Sequence, residues 1–380
     1  MGYTGSKWGS IDILLPYLLP WTTPFLEAWR PVNSLSPEYL EGLRLSPQDG
    51  STLQALGECR GRQDLFRRQT PEILAALRDA AVIESSECSS RIEGVVAPHE
   101  RIEALVLKSS APRNRSEQEI AGYRDALNLI HESARDMALS VNVILQLHTM
   151  LYRYHAGRGG RWKMSQNQIV ERDARGNVRR VRFVPPSPVA TPRMMAGLVE
   201  TYRRAVNDGR EPLIVVPVAV LDFLCVHPFD DGNGRVARLL TLQLLYHFEY
   251  EVGRYISLER IVEESKETYY EALETSSQGW HEARHDVFPW MRYFWGVVLR
   301  AYREFEERVG TLRGGRGAKT DLVEAAVRRR VVPFAISDIE ADCPGVSRDW
   351  IRVVLRRMRD RGLIAPQGRG RGAKWVRLDT

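Results

Sequence analysis

The sequence contains few cysteines and no long run of apolar residues. Its four cysteines are spread over 380 residues, and none forms a C-x-x-C pair or has a histidine at a metal-ligand spacing. This pattern excludes a disulfide-rich secreted scaffold and indicates reduced cysteines in a cytoplasmic protein. The most apolar stretch, residues 213–226, includes Pro217 and Asp222 and falls short of the roughly 20 apolar residues that cross a bilayer. We therefore expect a buried helix there and no membrane partner.

Internal repeats and long low-complexity segments are also missing, which excludes a repeat array and a wholly disordered chain. Hydrophobic residues at 43% and charged residues at 27% are ordinary for globular proteins, and 380 residues suffice for two or three domains. The 54 basic and 48 acidic residues give a net charge of +6, and residues 321–380 carry 13 basic against 8 acidic side chains. This local excess is compatible with a nucleic-acid partner but does not require one.

Hydrophobic periodicity predicts a mainly α-helical protein in four parts. Residues 1–110 form an N-terminal helical region after a proline-rich entry, and Thr70-Pro71-Glu72 is a typical helix start. Residues 111–309 continue the helical pattern, with a glycine- and proline-rich break in which residues 178–184 predict a short β-hairpin. A glycine-rich linker at 310–320 then precedes a C-terminal domain at 321–380.

The segment from His227 to Arg238, His-Pro-Phe-Asp-Asp-Gly-Asn-Gly-Arg-Val-Ala-Arg, combines the parts of an anion site. Gly232 and Gly234 allow a loop whose backbone N–H groups line one concavity, and the helix that follows directs its positive end into that space. Arg235 and Arg238 are three residues apart, so we expect both to face the same side and to grip phosphate oxygens.

The same segment supplies a base and a metal ligand. His227 titrates near neutral pH and can take a proton from an attacking hydroxyl, while the Asp231 carboxylate suits Mg²⁺ bound together with nucleotide phosphates. For any one of these residues, a turn between two helices with solvated side chains is the more common explanation. The whole set within twelve residues favours a catalytic site.

These residues match the Fic family motif H-P-F-x-D/E-G-N-G-R-x-x-R at every specified position, and residues 70–309 resemble that family. The resemblance implies a helical core in which His227 deprotonates a Tyr, Ser or Thr hydroxyl of a target protein, or of the chain itself. That oxygen would attack the α-phosphate of ATP, with Mg²⁺ on Asp231. The residues implied to bind nucleotide in this loop are Asp231, Gly232, Asn233, Gly234, Arg235, Val236, Ala237 and Arg238.

The glycine at position 234 bears on the type of reaction. Related kinases carry a lysine there, so the resemblance favours transfer of AMP by a nucleotidyltransferase. Transfer of phosphocholine or UMP stays open, because the loop holds phosphates and does not identify the group transferred.

Two further segments resemble parts of the nucleotide site. The double proline after Phe183 marks a flap hairpin that holds the target as an added strand. Counting back from it, the residues expected over the nucleotide are Arg180, Val181, Arg182 and Phe183. Tyr269, in a Tyr-Tyr-Glu-Ala-Leu segment, is the expected adenine-stacking ring, with Ser277 two helical turns later, although a tyrosine pair alone more often indicates core packing.

An inhibitory motif is the last element of the resemblance. Ser89-Ser90-Arg91-Ile92-Glu93-Gly94 fits the pattern S/T-x-x-x-E-G/N, with Ser89 and Glu93 on one helix face and Gly94 suited to end the helix. Its position before the core implies a self-inhibited chain in which Glu93 occupies Arg238. Removal of AMP is the alternative, with Glu93 positioning a water.

Residues 321–380 resemble a winged helix-turn-helix. Residues 321–330 predict a first helix, and Ser337 and Ser347 are the predicted caps of a second and a third. Two strands with a basic tip are expected after the third helix. The polar face of that helix carries Arg348, Arg352, Arg356 and Arg359. DNA and protein both stay open as ligands of this domain. A DNA-binding regulator whose core only senses nucleotide is therefore the alternative to an enzyme, and homodimer formation is left open.

Overall fold

The computed structural model describes residues 34–378 except 68–70, 108–109, 156–158, 173–176, 314–317, 329, 331–332, 344–345 and 369–373. The proline-rich entry, the cap at Thr70, the linker glycines and the basic tip between the last two strands lie outside the described residues. The fold is mainly helical, as predicted, with two small hairpins.

The described elements, in chain order, are α1 (Pro37–Gly42), α2 (Pro47–Arg67), α3 (Pro71–Ile92), α4 (His99–Leu107), α5 (Arg115–Ser133), α6 (Val141–Leu151), β1 (Ile169–Arg172), β2 (Val178–Phe183), α7 (Thr191–Asn207), α8 (Pro212–Val226), α9 (Asn233–His247), α10 (Leu258–Glu264), α11 (Lys266–Ser277), α12 (Phe288–Arg313), α13 (Ala318–Arg328), α14 (Ile336–Asp342), α15 (Arg348–Asp360), β3 (Ile364–Gln367) and β4 (Lys374–Arg377).

Helix α8 is the centre of the main hydrophobic core. Its side chains are buried on nearly every side, as expected for a helix that is apolar all round, and it packs against α7, α9, α11 and α12. The predicted buried helix over residues 213–226 is thus confirmed. No helix within the described ranges is long and apolar enough to span a bilayer.

Helix α3 ends at Ile92, and the next residue, Glu93, meets the start of α9. It packs against α4, α5, α9 and α10, and this packing brings its C-terminal end to the start of α9. Gly94 has a φ of 80° and ends the helix as predicted, since this left-handed conformation suits a residue without a side chain.

The hairpin of β1 and β2 is antiparallel and leans on α11. It confirms the β-hairpin predicted from residues 178–184.

The C-terminal elements from α13 onward form a second hydrophobic core, to which α13, α14, α15 and β3 contribute buried side chains. Ser347 caps α15 as predicted, since its hydroxyl accepts a hydrogen bond from the backbone N–H of Trp350. The prediction that Ser337 caps the second helix is wrong: α14 begins at Ile336, and Asp338 accepts a hydrogen bond from the backbone N–H of Ala335 at 2.7 Å. The stretch between α12 and α13 is also shorter than the predicted 310–320 linker, because α12 continues to residue 313.

Candidate functional site

The loop between α8 and α9 turns sharply at two left-handed residues. His227 has a φ of 49° and Gly232 a φ of 84°, so the chain reverses before α9 begins at Asn233. The first N–H groups of an α-helix have no acceptor within the helix, and here they face the space that this reversal creates. A helix that begins directly after such a reversal is suited to bind an anion at its N-terminus.

Asn233 braces this loop with its side chain. Its Oδ1 accepts from the backbone N–H of Phe229 at 2.9 Å, and its Nδ2 donates to the carbonyl of Phe229 at 2.8 Å. The residue is 3% exposed. Both polar side-chain atoms are therefore used within the loop, and nucleotide binding by Asn233 stays a prediction that only its backbone could fulfil in this arrangement.

His227 is held as a neutral base. Its Nδ1 lies 3.2 Å from the carbonyl of Leu224, and since a carbonyl only accepts, Nδ1 carries the proton and Nε2 keeps its lone pair. Burial lowers the pKa of His227 to about 4. The imidazole is therefore uncharged at neutral pH and able to take up a proton.

The two loop arginines point to different places. The Arg235 guanidinium is 1% exposed and donates to Glu119 at 2.6 Å and to the Tyr152 hydroxyl at 3.0 Å. Arg238 instead donates from Nε to the Ser89 hydroxyl at 2.8 Å. The prediction that both face one side and grip phosphate is therefore wrong for this conformation, because Glu119 neutralises Arg235 inside the protein.

Glu93 occupies the start of α9. Its Oε1 lies 2.9 Å from Nη2 of Arg238, and a Cβ added at Gly234 would come within 2.2 Å of the same oxygen. A carboxylate therefore rests directly over Gly234. The Nη1 of Arg238 also lies beside Gly234 and is buried without an acceptor among the described residues, so this place suits an anion with more oxygens than a carboxylate has.

A cleft of about 720 Å³ opens above this arrangement. His227, Gly234 and Glu93 line its floor. Its walls come from β1, β2 and α11, and the wall residues are Gln168, Ile169, Val170, Glu171, Arg182, Phe183, Lys266, Tyr269, Tyr270, Leu273, Glu274 and Ser277. The base and the anion cradle thus share one cavity.

The flap residues divide into two groups. Arg182 and Phe183 line the cleft, as predicted for residues over a nucleotide. Arg180 lies at the rim and pairs with Glu274 of α11 at 2.6 Å, while Val181 is 45% exposed and does not line the cleft. Val181 therefore lies outside the cleft that Arg182 and Phe183 line.

Val236 and Ala237 are also placed differently from the prediction. Both are buried in the core, at 0% and 1% exposure, and the N–H of Val236 is bonded to the carbonyl of Gly232. Neither side chain lines the cleft floor, since both lie on a face of α9 that packs into the core.

The tyrosine pair on α11 lies beside the cleft. Tyr269 lines it but is only 5% exposed, and its ring packs against Trp290 at 5.8 Å. Tyr270 is half-buried and also lines the cleft, so the structure favours Tyr270 over Tyr269 for stacking on a base. Ser277 lines the cleft as predicted.

Asp231 stands beside the loop with its side chain 55% exposed. Its Oδ1 accepts from the N–H of Gly232 at 2.7 Å and lies 3.6 Å from Arg235. Within the described ranges, no group of three or more His, Cys, Asp or Glu side chains could hold a metal ion alone.

Sequence reasoning missed two residues that contact the loop. The side chains of Lys163 and Asn167 hydrogen-bond to the carbonyls of Val226 and His227, respectively. Lys163 belongs to the Gly-Arg-Trp-Lys segment before the hairpin, but no spacing rule connects it to residues 60 positions later.

Comparison with known proteins agrees with this geometry. Residues 138–245 match the sequence model of the Fic/DOC family. A protein adenylyltransferase Fic of Nematostella vectensis is 25% identical over 221 residues, which cover 54% of this chain and 44% of that protein. The protein of the same name in Drosophila ananassae is 25% identical over 276 residues, 68% of this chain and 50% of that protein. The chain thus spans about half the length of these curated relatives.

Solved structures show the same fold. A Fic family protein from Desulfovibrio desulfuricans has a TM-score of 0.58 and 21% identity, over 89% of this chain and 98% of that chain. Fic-1 from C. elegans has a TM-score of 0.56 and 18% identity, over 70% and 73% of the two chains. The segment that matches the sequence model of the Fic/DOC family, residues 138–245, includes the loop between α8 and α9.

Proposed function

We propose that the chain transfers AMP from ATP to a hydroxyl side chain of a protein. The target hydroxyl gives its proton to Nε2 of His227 while its oxygen forms a bond to the α-phosphorus. The bond from that phosphorus to the bridging oxygen breaks, and pyrophosphate leaves. A Tyr, Ser or Thr residue, on another protein or on this chain, supplies the hydroxyl.

The observation that carries the proposal is the shared floor of the cleft. His227, with a neutral imidazole, and Gly234 at the start of α9 line the same cavity, and Nη1 of Arg238, which has no acceptor among the described residues, lies beside Gly234. A base beside an anion cradle is the minimum that nucleotidyl transfer to a hydroxyl requires. The names of the curated relatives, which are protein adenylyltransferases, support AMP as the group transferred.

We further propose that Asp231 holds Mg²⁺ when ATP is bound. A single partly exposed carboxylate fits this ion, which usually keeps waters and takes most of its other ligands from phosphates. The ion would neutralise charge on the nucleotide phosphates.

Glu93 is proposed to inhibit this reaction in cis. Its carboxylate lies over Gly234 and takes up Nη2 of Arg238, so a nucleotide phosphate and Glu93 compete for one place. Ser89 supports this arrangement by accepting from Nε of the same arginine.

Replacing Glu93 by glycine tests both parts. We expect Glu93→Gly to raise incorporation of label from α-labelled ATP about tenfold or more, because the coupling between inhibitor and ligand is removed. Adding His227→Ala should reduce that rate about 100-fold or more, since the base is lost. Label from γ-labelled ATP should not be incorporated.

Glu132→Gly, which alters an exposed glutamate at the end of α5, is the matched control and should leave the rate unchanged. Incorporation from γ-labelled ATP would contradict AMP transfer. An unchanged rate in Glu93→Gly, with ATP bound normally, would contradict the inhibitory role. Loss of AMP from pre-modified product on adding the wild-type chain would instead favour hydrolytic removal of AMP, with Glu93 positioning the water.

The C-terminal helices support a second proposal, a winged helix-turn-helix that binds DNA. The exposed face of α15 carries four arginines, and the β3–β4 hairpin follows it in the position of a wing. The arginines are Arg348, Arg352, Arg356 and Arg359. Duplex DNA should be retarded in a gel shift that weakens with salt, and Arg352→Ala with Arg356→Ala should weaken it further. Salt-insensitive or absent binding would instead favour a protein ligand.

A further inference from the structure

The segment around Lys163 and Asn167 contacts four consecutive carbonyl groups, from Val226 to Phe229. Lys163 Nζ donates to the carbonyl of Val226 at 3.1 Å, and its backbone N–H donates to that of Pro228 at 2.8 Å. Asn167 Nδ2 donates to the carbonyls of His227 at 3.2 Å and of Phe229 at 3.0 Å. One short segment thus fixes the backbone on both sides of the histidine.

The two side chains also hold each other. Lys163 Nζ donates to Oδ1 of Asn167 at 2.9 Å, which leaves the amide nitrogen of Asn167 directed at the loop. Lys163 is 1% exposed, so its ammonium group is committed to these contacts and not to solvent. Burial of a lysine is costly, and its retention needs such compensating hydrogen bonds.

His227 needs this support because its backbone is left-handed. A residue with a side chain at a φ of 49° is strained and persists only where its surroundings enforce that conformation. Lys163 and Asn167 bind the carbonyls of the last residue of α8 and of the turn that follows it, from Val226 to Phe229.

We propose that Lys163 and Asn167 are positioning residues for His227, which hold the imidazole where it meets the target hydroxyl. This inference depends on the proposed AMP transfer only for its kinetic readout. Burial is the main cause of the lowered pKa of His227; the Lys163 charge lowers this pKa further, whereas Glu93 and Asp231 raise it. Burial lowers the pKa of Lys163 to about 8, so the lysine is charged below that pH.

The test uses the full chain with Glu93→Gly as parent. Lys163→Met keeps the aliphatic stem but removes the charge and the donors, and should lower kcat between about 10-fold and 100-fold, with KM for ATP changed less than about twofold. The acidic limb of the pH profile of kcat/KM should move to higher pH, since a positive neighbour of the base is lost. Asn167→Ala should lower kcat without moving that limb.

Lys163→Arg keeps the charge and should preserve the acidic limb, and Lys319→Met, at an exposed lysine of α13, is the matched control. NMR titration of His227 in the same variants needs no turnover: its pKa should rise in Lys163→Met and stay in place in Asn167→Ala. An unchanged kcat in Asn167→Ala, or an unmoved His227 titration in Lys163→Met, would overturn the inference. If the Glu93→Gly parent transfers no AMP but the variants show these titrations, the proposed function would be contradicted and the inference about Lys163 and Asn167 would stand.

Discussion

Burial of single titratable side chains sets how this protein responds to acid. Burial lowers the pKa of five histidines, including His247, and four of these shifts are large: to about 3 for His131 and to about 4 for His148, His227 and His285. Asp222 behaves in the opposite way, because burial raises its pKa to about 6.

These shifts predict that stability falls with acidification below neutral pH. A histidine whose pKa is lower in the folded state binds more protons when unfolded, so its contribution is present above pH 6.5 and lost as the pH falls toward 4. Between pH 7 and 5.5 we expect each of the four histidines with large shifts to lower the free energy of unfolding by about 1 kcal/mol. Asp222 opposes this, since its contribution is lost as the pH rises toward 6. Urea denaturation at pH 7 and 5.5 measures the balance.

His131→Asn provides the control for that measurement. It removes one histidine from the interior of the core and should make the urea midpoint less sensitive to pH. A midpoint that rises on acidification would contradict the prediction.

At the scale of elements, α8 contains a proline that its neighbours accommodate. Pro217 has no N–H, so the carbonyl of Leu213, four residues earlier, loses its helical donor. The indole Nε1 of Trp295, on α12, donates to that carbonyl at 2.6 Å. The missing donor in α8, the helix that ends just before His227, is therefore replaced by a side chain of another helix.

Trp295→Phe should thus destabilise the protein by about 1–3 kcal/mol beyond its loss of packing, because a buried carbonyl is left without a donor. Trp290→Phe is the matched control: Trp290 Nε1 donates to the carbonyl of Pro217 at 2.7 Å, which lies inside the helix and keeps its helical donor. Free energies of unfolding from urea titrations should therefore fall more for Trp295→Phe. Equal losses would contradict this account.

At the scale of the whole molecule, the contact between Glu93 and Arg238 depends on how α3 is docked. Ser85 of α3 donates to Glu259 at 2.7 Å, and Tyr123 of α5 donates to the same carboxylate at 2.7 Å. Lys266 of α11 donates to the carbonyl of Ile92 at 3.0 Å and so holds the end of α3 beside the cleft. The Glu93 carboxylate therefore reaches Gly234 through contacts made by three other helices.

Much of this protein follows from its sequence alone. Helical periodicity predicts the mainly helical fold, the apolar stretch predicts α8, and the valine-rich segment predicts the hairpin. The motif from His227 predicts a base and an anion cradle, because all its parts are adjacent in the chain and their chemistry does not depend on distant residues. Gly94 predicts the end of α3 for the same reason.

Tertiary structure alone decided which side chains reach the cleft. Glu119 neutralises Arg235, Asn233 turns into its own loop, Val236 faces the core, and Lys163 contacts the backbone beside His227. Local spacing gives the direction of a side chain relative to its own helix, but its partner comes from elements that the fold brings together from distant positions. The sequence by itself therefore determined the chemistry available in the loop, whereas burial and long-range pairing decided which groups are left to perform it.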